Sequence, residues 1–240
     1  MINHLKLYQE LNGLADPKKA HIFQRFFKTG KGEYGEGDIF LGITVPKSRK
    51  IAEKYSLLKF SEISELLRSK IHEERLIGLL ILVNKYQKNV GKRKEIFDFY
   101  LENTRYINNW DLVDLSADKI VGRFLFDFGK DFPVYRMLLR KLAESKNVWE
   151  RRISVIATFY FIKNNSFSDT LKISEILLKD KHDLIHKAVG WMLREIGKRN
   201  QEAEEKFLQK HYQKMPRTML RYAIEKFSEE KRSYYLRKII

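Results

Sequence analysis

The sequence predicts an all-α protein built from repeated pairs of helices, and three observations support this fold class. Proline is rare, with 4 residues in a chain of 240. Apolar residues recur at helical spacing over long windows, whereas the alternation typical of strands is hard to find. Similar helices also recur at a nearly constant distance along the chain. We therefore expect helices joined by short connections, in a single domain over residues 1–240.

The helices follow in order from the apolar spacing and from the residues that begin or end a helix. The first is expected over about residues 2–14, and a turn at 15–17 separates it from a second over about 18–28. The later helices are expected to follow Pro46, Ser61, Glu73, Lys92, Asn109, Pro133, Trp149, Ser168, Asp183, Gln201 and Pro216. All four prolines thus fall at helix starts or connections, where a missing N–H group is tolerated.

A charged residue just ahead of or within an apolar helical stretch marks each repeat. The approximate register marks are Arg75, Asp111, Arg152, Lys187 and Arg221, separated by 36, 41, 35 and 34 residues. This is the pitch of a two-helix repeat and predicts a HEAT-like α-solenoid, an α-α superhelix. An irregular helical bundle is the alternative. In a solenoid the recurrent Arg and Lys residues would line one surface as a long basic groove.

Charge and composition restrict the function. The chain has 47 Lys and Arg against 31 Asp and Glu, a formal net charge of +16, which favours a polyanionic partner. Nucleic acid is favoured over a membrane, because the longest apolar run, residues 76–83, is far shorter than the roughly 20 residues that span a bilayer. The absence of cysteine excludes disulfides and thiolate chemistry, and the first residues lack the layout of a secretory signal. The cytoplasm is the expected compartment.

A glycine-rich segment follows the second helix. Residues 29–38 contain four of the twelve glycines and predict a short β-hairpin or loop near the N-terminus. The segment matches the Gly-x-Gly-x-x-Gly spacing of a dinucleotide loop, but it follows a helix rather than a strand, and its three acidic residues would repel phosphate. Nucleotide binding is therefore not expected. The segment is either a connection or a probe inserted into a groove or branch point of nucleic acid.

Trp110 and Asp114 form the first candidate site. They are four residues apart, so on a helix the indole and the carboxylate share one face. A carboxylate beside an aromatic ring on a cationic chain is a candidate catalytic group. Trp149 and Trp191 also lie at helical spacing from a charge. The alternative for all three indoles is that they pack in the cores of the repeats while the charges stay in solvent.

The sequence gives little support to a metal site, a serine nucleophile or a nucleotide-hydrolysing loop. His182 and His186 have the spacing of a metal-chelating pair, but a third ligand is not evident and Asp183 replaces the glutamate of a His-Glu-x-x-His motif. A capping or solvated role is expected for both histidines, and no metal site. The sequence contains neither a Gly-x-Ser-x-Gly nucleophile elbow nor a Walker lysine loop.

Three segments resemble a known family. Residues 109–114 (Asn-Trp-Asp-Leu-Val-Asp), 149–152 (Trp-Glu-Arg-Arg) and 187–195 (Lys-Ala-Val-Gly-Trp-Met-Leu-Arg-Glu) are similar to the active-face segments of the AlkD-type DNA alkylation repair family, the HEAT-like repeat DNA glycosylases. The resemblance covers about residues 5–236. It implies a monomer with a basic concave cleft for duplex DNA, which hydrolyses the N-glycosidic bond of cationic N3- or N7-alkylated purines without metal or organic cofactor.

The resemblance also implies roles for individual residues. Asp114 is expected to be the catalytic carboxylate, with Trp110 and Trp191 as aromatic contacts to the lesion. The expected DNA-contacting residues are Arg152, Arg151, Phe26 and Lys187. Since the family acts on a lesion that is still stacked in the duplex, a deep pocket for an extruded base is not expected.

Two features depart from the family pattern. Phe26 stands where the glycosylases carry a tyrosine, and the insert at residues 29–37 is longer than their connection. Other branches of the family bind unusual DNA without excising bases. A non-catalytic binder of branched or distorted DNA is therefore the alternative function, and a protein-interaction scaffold is the third.

Overall fold

The computed structural model describes residues 2–129 and 133–237. Within these ranges the regular elements are helices, and no β-strand is formed. The chain divides into two compact units, Met1–Ser116 and Ala117–Ile240. A single domain over the whole chain stays a prediction. None of the described helices is long and apolar enough to cross a membrane.

The first unit is organised around one buried helix. Its helices are α1 (Ile2–Leu14), α2 (Pro17–Phe26), α3 (Val45–Lys54), α4 (Phe60–Leu67), α5 (His72–Lys88), α6 (Arg93–Glu102) and α7 (Trp110–Ser116). Helices α3, α4, α6 and α7 all pack against α5. The apolar run 76–83 covers every side of α5, which is the pattern of a helix surrounded by others. Glu73 and Glu74 lie in its first turn, where the helix dipole favours negative charge.

The second unit repeats a helix-pair arrangement. Its helices are α8 (Arg123–Phe128), α9 (Pro133–Ala143), α10 (Val148–Lys163), α11 (Ser168–Leu177), α12 (Asp183–Gly197), α13 (Gln201–His211), α14 (Arg217–Ala223) and α15 (Glu229–Arg237). Helices α10, α12 and α14 pack in succession, and α9, α11 and α13 pack beside them. The register marks Arg152, Lys187 and Arg221 fall on these successive helices. The predicted all-α repeat fold is confirmed.

Every predicted helix is present, with its ends displaced by a few residues. Helix α8 follows a π-helical turn at Asp118–Gly122, and neither α8 nor α15 was anticipated. The glycine-rich segment is a loop of consecutive turns. Its backbone is bonded to the end of α2, since Gly35 N donates to the carbonyl oxygen of Lys28 at 3.0 Å. The β-hairpin alternative is wrong. The backbone pairs as an isolated parallel bridge between Ile39 and Ile71 instead.

Candidate functional site

The first unit contains an aromatic pocket with a volume of about 520 Å³. This lies in the range of about 300–1,000 Å³ that is usual for small-molecule sites. Its aromatic walls are Phe23, Phe26, Phe27, Phe40 and Trp110. Its polar lining comes from α5 and α7, which contribute His72, Glu73, Asp111 and Asp114. The expectation that a deep pocket for an extruded base is absent stays a prediction.

The aromatic rings form a short stack. Phe27 lies between Trp110, at 5.2 Å and 16° between ring planes, and Phe40, at 4.9 Å and 20°. Phe26 meets Trp110 edge-on at 5.9 Å and is 61% exposed. The rings come from the end of α2, from the segment after the glycine-rich loop, and from the start of α7. Trp110 is thus held from one side while the pocket remains open.

A buried carboxylate fixes the segment that carries Phe40. Glu73 accepts hydrogen bonds from the backbone N–H groups of Leu41, Gly42 and Ile43 at 2.8–3.1 Å. Gly42 has φ of +82°, and a Cβ there would lie 2.3 Å from the carbonyl oxygen of Asp16. Only glycine fits this close approach. The segment is therefore locked between α2 and α5.

Beneath the rings lies a buried network of charges centred on His72. Its Nε2 is 2.8 Å from Oδ2 of Asp111, and its Nδ1 is 3.3 Å from Oδ2 of Asp38. Arg75 Nη2 pairs with the same Asp38 oxygen at 2.7 Å. Burial alone would lower the pKa of His72, but Asp111 and Asp38 outweigh it and raise the pKa to about 9. His72 is therefore an imidazolium at neutral pH, with both ring nitrogens donating.

The pKa of Asp38 responds in the opposite direction. Burial would raise the pKa of this carboxyl, but His72, Arg75 and Asn109 hold it below its usual value. The ring of His72 also stacks on Phe40, with centroids 4.5 Å apart and planes at 23°. Charge pairing and ring stacking together fix the base of the aromatic pocket.

The predicted site residues of the first unit lie together. Trp110, Asp114 and Phe26 all line the aromatic pocket. Trp110 and Asp114 are both partly buried on α7, so neither ring nor carboxylate lies in an interior layer. The spacing of four residues along one helix explains their common location.

The remaining predicted residues belong to the second unit. Trp191 is partly buried on α12, with its ring 5.8 Å from that of Phe159. Lys187, on the same helix, pairs with Asp183 at 2.7 Å. Trp149 is buried, as the core alternative predicts.

Both predicted arginines bond within the second unit. Arg151 Nε donates to Asp180 Oδ2 at 2.6 Å, and its Nη1 donates to the carbonyl oxygens of Ser145 and Lys146. Arg152 is 5% exposed and donates from Nη1 to the carbonyl oxygen of Leu184 at 2.5 Å. Through Asp180 and Leu184, these arginines join the start of α10 to the connection before α12 and to the first turn of α12.

The register marks do not all line a surface. Arg75 is as buried as Arg152, because a basic residue at the start of a packed helix is drawn into bonds with neighbouring loops. The expectation that the recurrent basic residues form one exposed row is therefore wrong for these two. His182 has the expected capping role, since it accepts from Leu184 N at the start of α12. His186 lies within α12 and bonds the carbonyl oxygen of Asp180 instead.

Sequence reasoning missed most of the site, including Phe23, Phe27, Phe40, Asp38, His72, Glu73 and Asp111. One signal was available for His72. The run His-Glu-Glu-Arg at 72–75 immediately precedes eight apolar residues, and charges at the start of an entirely buried helix require partners. The partner Asp38 is 34 residues away, in a segment whose pattern indicated only turns.

Comparisons with known proteins agree on one family. A sequence profile described as "DNA alkylation repair enzyme" matches residues 7–227. The fold is similar to that of a "predicted DNA alkylation repair enzyme" from Enterococcus faecalis, with a TM-score of 0.68 and 14% identity over 90% of this chain and 97% of that one. It is also similar to AlkD2 from Streptococcus mutans, with a TM-score of 0.56 and 15% identity over 88% and 98%. No curated protein matches the sequence. The chain belongs to the DNA alkylation repair enzyme family.

Proposed function

We propose that the protein is a monofunctional DNA glycosylase that hydrolyses the N-glycosidic bond of cationic N3- or N7-alkylated purines in duplex DNA. Membership of the repair family supports DNA as the partner. The single observation that carries the catalytic part is that Trp110 and Asp114 both line the aromatic pocket. A carboxylate beside electron-rich rings suits a reaction in which positive charge builds up.

The chemistry assigns one task to each group. Alkylation at a ring nitrogen makes the purine cationic and a good leaving group, so the barrier lies in the positive charge that develops on the deoxyribose. The ionised carboxylate of Asp114 stabilises this oxocarbenium-like state and orients the attacking water. The faces of Trp110 and Trp191 favour a cationic base over a neutral one. No metal or organic cofactor has a role in this mechanism.

Lys187 and the two arginines are proposed to act on the DNA backbone. Lys187 pairs with the exposed carboxylate of Asp183, and such a surface pair exchanges readily for a phosphate. Arg151 and Arg152 are bonded to the segment that begins α12. We therefore assign them the positioning of α12, the helix that carries Lys187 and Trp191, in addition to the expected proximity to phosphate.

The alternative is a binder of branched or distorted DNA that releases no base. It is favoured by the glycine-rich loop beside the aromatic pocket, which includes the exposed Lys31 and directly follows the exposed Lys28. The phenyl ring of Phe26, where the glycosylases carry a tyrosine, also lies at this end of the pocket.

One experiment separates the two functions. Methylated duplex DNA is incubated with the protein and then heated in alkali, which cleaves at abasic sites. The glycosylase proposal predicts strand cleavage that depends on both the protein and the methylation. If cleavage is absent and the protein prefers a four-way junction to a linear duplex of equal length, the alternative is correct. Binding should weaken steeply with salt in either case, whereas a protein scaffold would show no DNA affinity at low salt.

A further inference from the structure

We propose that a second pocket of the first unit, the basic pocket, binds one phosphate of the DNA backbone through Arg68 and Lys70. The inference rests on the proposed function only for DNA as the partner. It goes beyond that function, because the proposed mechanism assigns backbone contacts to the second unit alone. Each unit then holds the DNA backbone by a contact of its own.

The basic pocket is formed by residues 36–38 of the glycine-rich segment, residues 67–70 between α4 and α5, and Arg75, Tyr106 and Asn108. None of these residues lines the aromatic pocket, so the two pockets are separate. The volume of the basic pocket is about 290 Å³, just below the range of about 300–1,000 Å³ that is usual for small-molecule sites. This volume suits a small group rather than a whole nucleotide.

Buried Arg75 ties the two sides of the basic pocket together. Its Nη1 donates to the carbonyl oxygen of Ser69 at 2.8 Å, and its Nη2 pairs with Asp38 at 2.7 Å. The backbone N–H of Ile39 also donates to the carbonyl oxygen of Lys70 at 3.0 Å. The connection between α4 and α5 is therefore fixed before any ligand binds.

Two exposed cations of the basic pocket lie on this fixed connection. Within the part of the chain that the structure describes, neither Arg68 nor Lys70 pairs with a carboxylate. The guanidinium of Arg68 lies 5.8 Å from the ring centroid of Tyr106, and that of Arg105 lies 4.6 Å from the same centroid. A cation–π contact restrains a guanidinium without neutralising it. The positive charge therefore stays available to a ligand.

The acids that line the basic pocket do not cancel this charge. Asp38 is buried and already paired with Arg75 and His72. Glu36 is exposed, and its Oε2 accepts a hydrogen bond from Gly32 N at 2.8 Å. Two cations without a carboxylate partner thus face one acid that has no cationic partner. The basic pocket carries a surplus of positive charge and favours an anion.

The side chains identify a phosphate as this anion. The planar guanidinium of Arg68 can donate two parallel N–H groups to phosphate oxygens, and Lys70 adds a point charge. Family membership supports DNA as the partner, and its backbone presents such groups at every step. A contact of this kind positions the DNA and is independent of base identity.

The first test measures affinity for an unmethylated linear duplex by fluorescence anisotropy at several salt concentrations. Lys70→Gln should weaken binding roughly tenfold, the usual value of one bond to a charged group. The slope of log affinity against log salt should fall in magnitude by about one, because one phosphate contact is lost. Arg68→Gln should behave in the same way.

The matched control is Lys88→Gln, which removes the same charge from the exposed last turn of α5. Lys88 lies about 20 Å along the helix from Arg75, at the end away from the basic pocket. It should change the affinity less than twofold. Equal effects of Lys70→Gln and Lys88→Gln would overturn the proposal, because overall charge would then account for binding.

The exposed acid of the basic pocket provides a test with the opposite sign. Glu36→Gln should tighten binding of the same duplex roughly twofold to fivefold, because it removes a negative charge close to the phosphate. Glu102→Gln removes an exposed carboxylate from α6, which does not line the basic pocket, and should leave the affinity unchanged. If Glu36→Gln binds no more tightly than this control, the phosphate does not occupy the basic pocket.

A cleavage experiment tests the location directly. Because the chain contains no cysteine, Glu36→Cys can carry a single iron–EDTA group, which generates hydroxyl radicals that cut nearby DNA strands. Glu36→Cys should cut a bound duplex and the labelled control Lys88→Cys should not. Normal base release without cutting from position 36 would overturn the basic pocket and leave the glycosylase proposal intact. Cutting without base release would support the basic pocket and contradict the glycosylase.

Discussion

His72 Nε2 donates a hydrogen bond to Asp111 Oδ2 at 2.8 Å, and this contact joins the first turn of α5 to the first turn of α7. Trp110 immediately precedes Asp111, so the same bond helps to fix the indole that lines the aromatic pocket. The network beneath the pocket thereby positions the candidate catalytic face. Its charge state should be visible in the stability of the protein.

The first prediction concerns pH. The pKa of His72 is raised to about 9 in the folded protein, against an ordinary value of 6.5. Its stabilising contribution is therefore complete below pH 6.5 and is lost as pH rises through about 9. We expect the free energy of unfolding, measured with urea, to fall over this interval. In His72→Gln the fall should be smaller, and an unchanged pH profile would show that His72 is not charged.

A second titrating group lies in the other unit. Burial raises the pKa of Glu204 to about 9, Glu205 adds to the effect, and Arg194 opposes it. Glu204 stays protonated in the folded state above pH 4.5 while the unfolded chain ionises, so stability is lost as pH rises towards 9. Glu204→Gln keeps the neutral shape and should stabilise the protein at pH 8 by about 1–3 kcal/mol. Equal stability of variant and wild type at pH 8 would contradict this assignment.

The third prediction separates helix propensity from packing. A Cβ at Gly190 of α12 would lie 2.4 Å from the carbonyl oxygen of Met219 on α14, whereas one at Gly13 of α1 would meet nothing within 4 Å. Gly13→Ala should stabilise by about 0.5–1 kcal/mol through reduced backbone entropy. Gly190→Ala should instead destabilise by about 1–3 kcal/mol, because overpacking outweighs that gain. Thermal unfolding of both variants measures the two stability changes. Stabilisation by Gly190→Ala would show that α12 and α14 are not in close contact.

The adjacent phenylalanines of the pocket give the fourth prediction. Phe27 lies within the ring stack, and its replacement by Ala should cost about 2–4 kcal/mol of stability. Phe26 is largely exposed and makes an edge contact with Trp110, so Phe26→Ala should cost less than about 1.5 kcal/mol. Its main effect should be weaker binding to DNA in a fluorescence anisotropy titration. Similar stability losses for the two variants would argue against the stack.

The sequence predicted the helices well because each is specified locally, by apolar spacing and by prolines at helix starts. The pairing of Trp110 with Asp114 was predictable for the same reason, since both lie on one short helix. Phe40, Asp38 and His72 were not, because contacts between residues more than thirty positions apart join them. The burial of Arg152 was not predicted, because spacing along a helix does not reveal whether a charged residue bonds a neighbouring segment.

The central claim is that Asp114 carries the chemistry, and the most direct measurement is the single-turnover rate of base release from DNA with one methylated purine. Asp114→Asn should lower this rate by about 10²–10³-fold, the usual effect of removing one group that stabilises transition-state charge. Its DNA affinity and thermal stability should stay close to wild type. Glu102→Gln, an exposed carboxylate on α6 away from the pocket, is the matched control and should retain full activity. Full activity of Asp114→Asn would contradict the account.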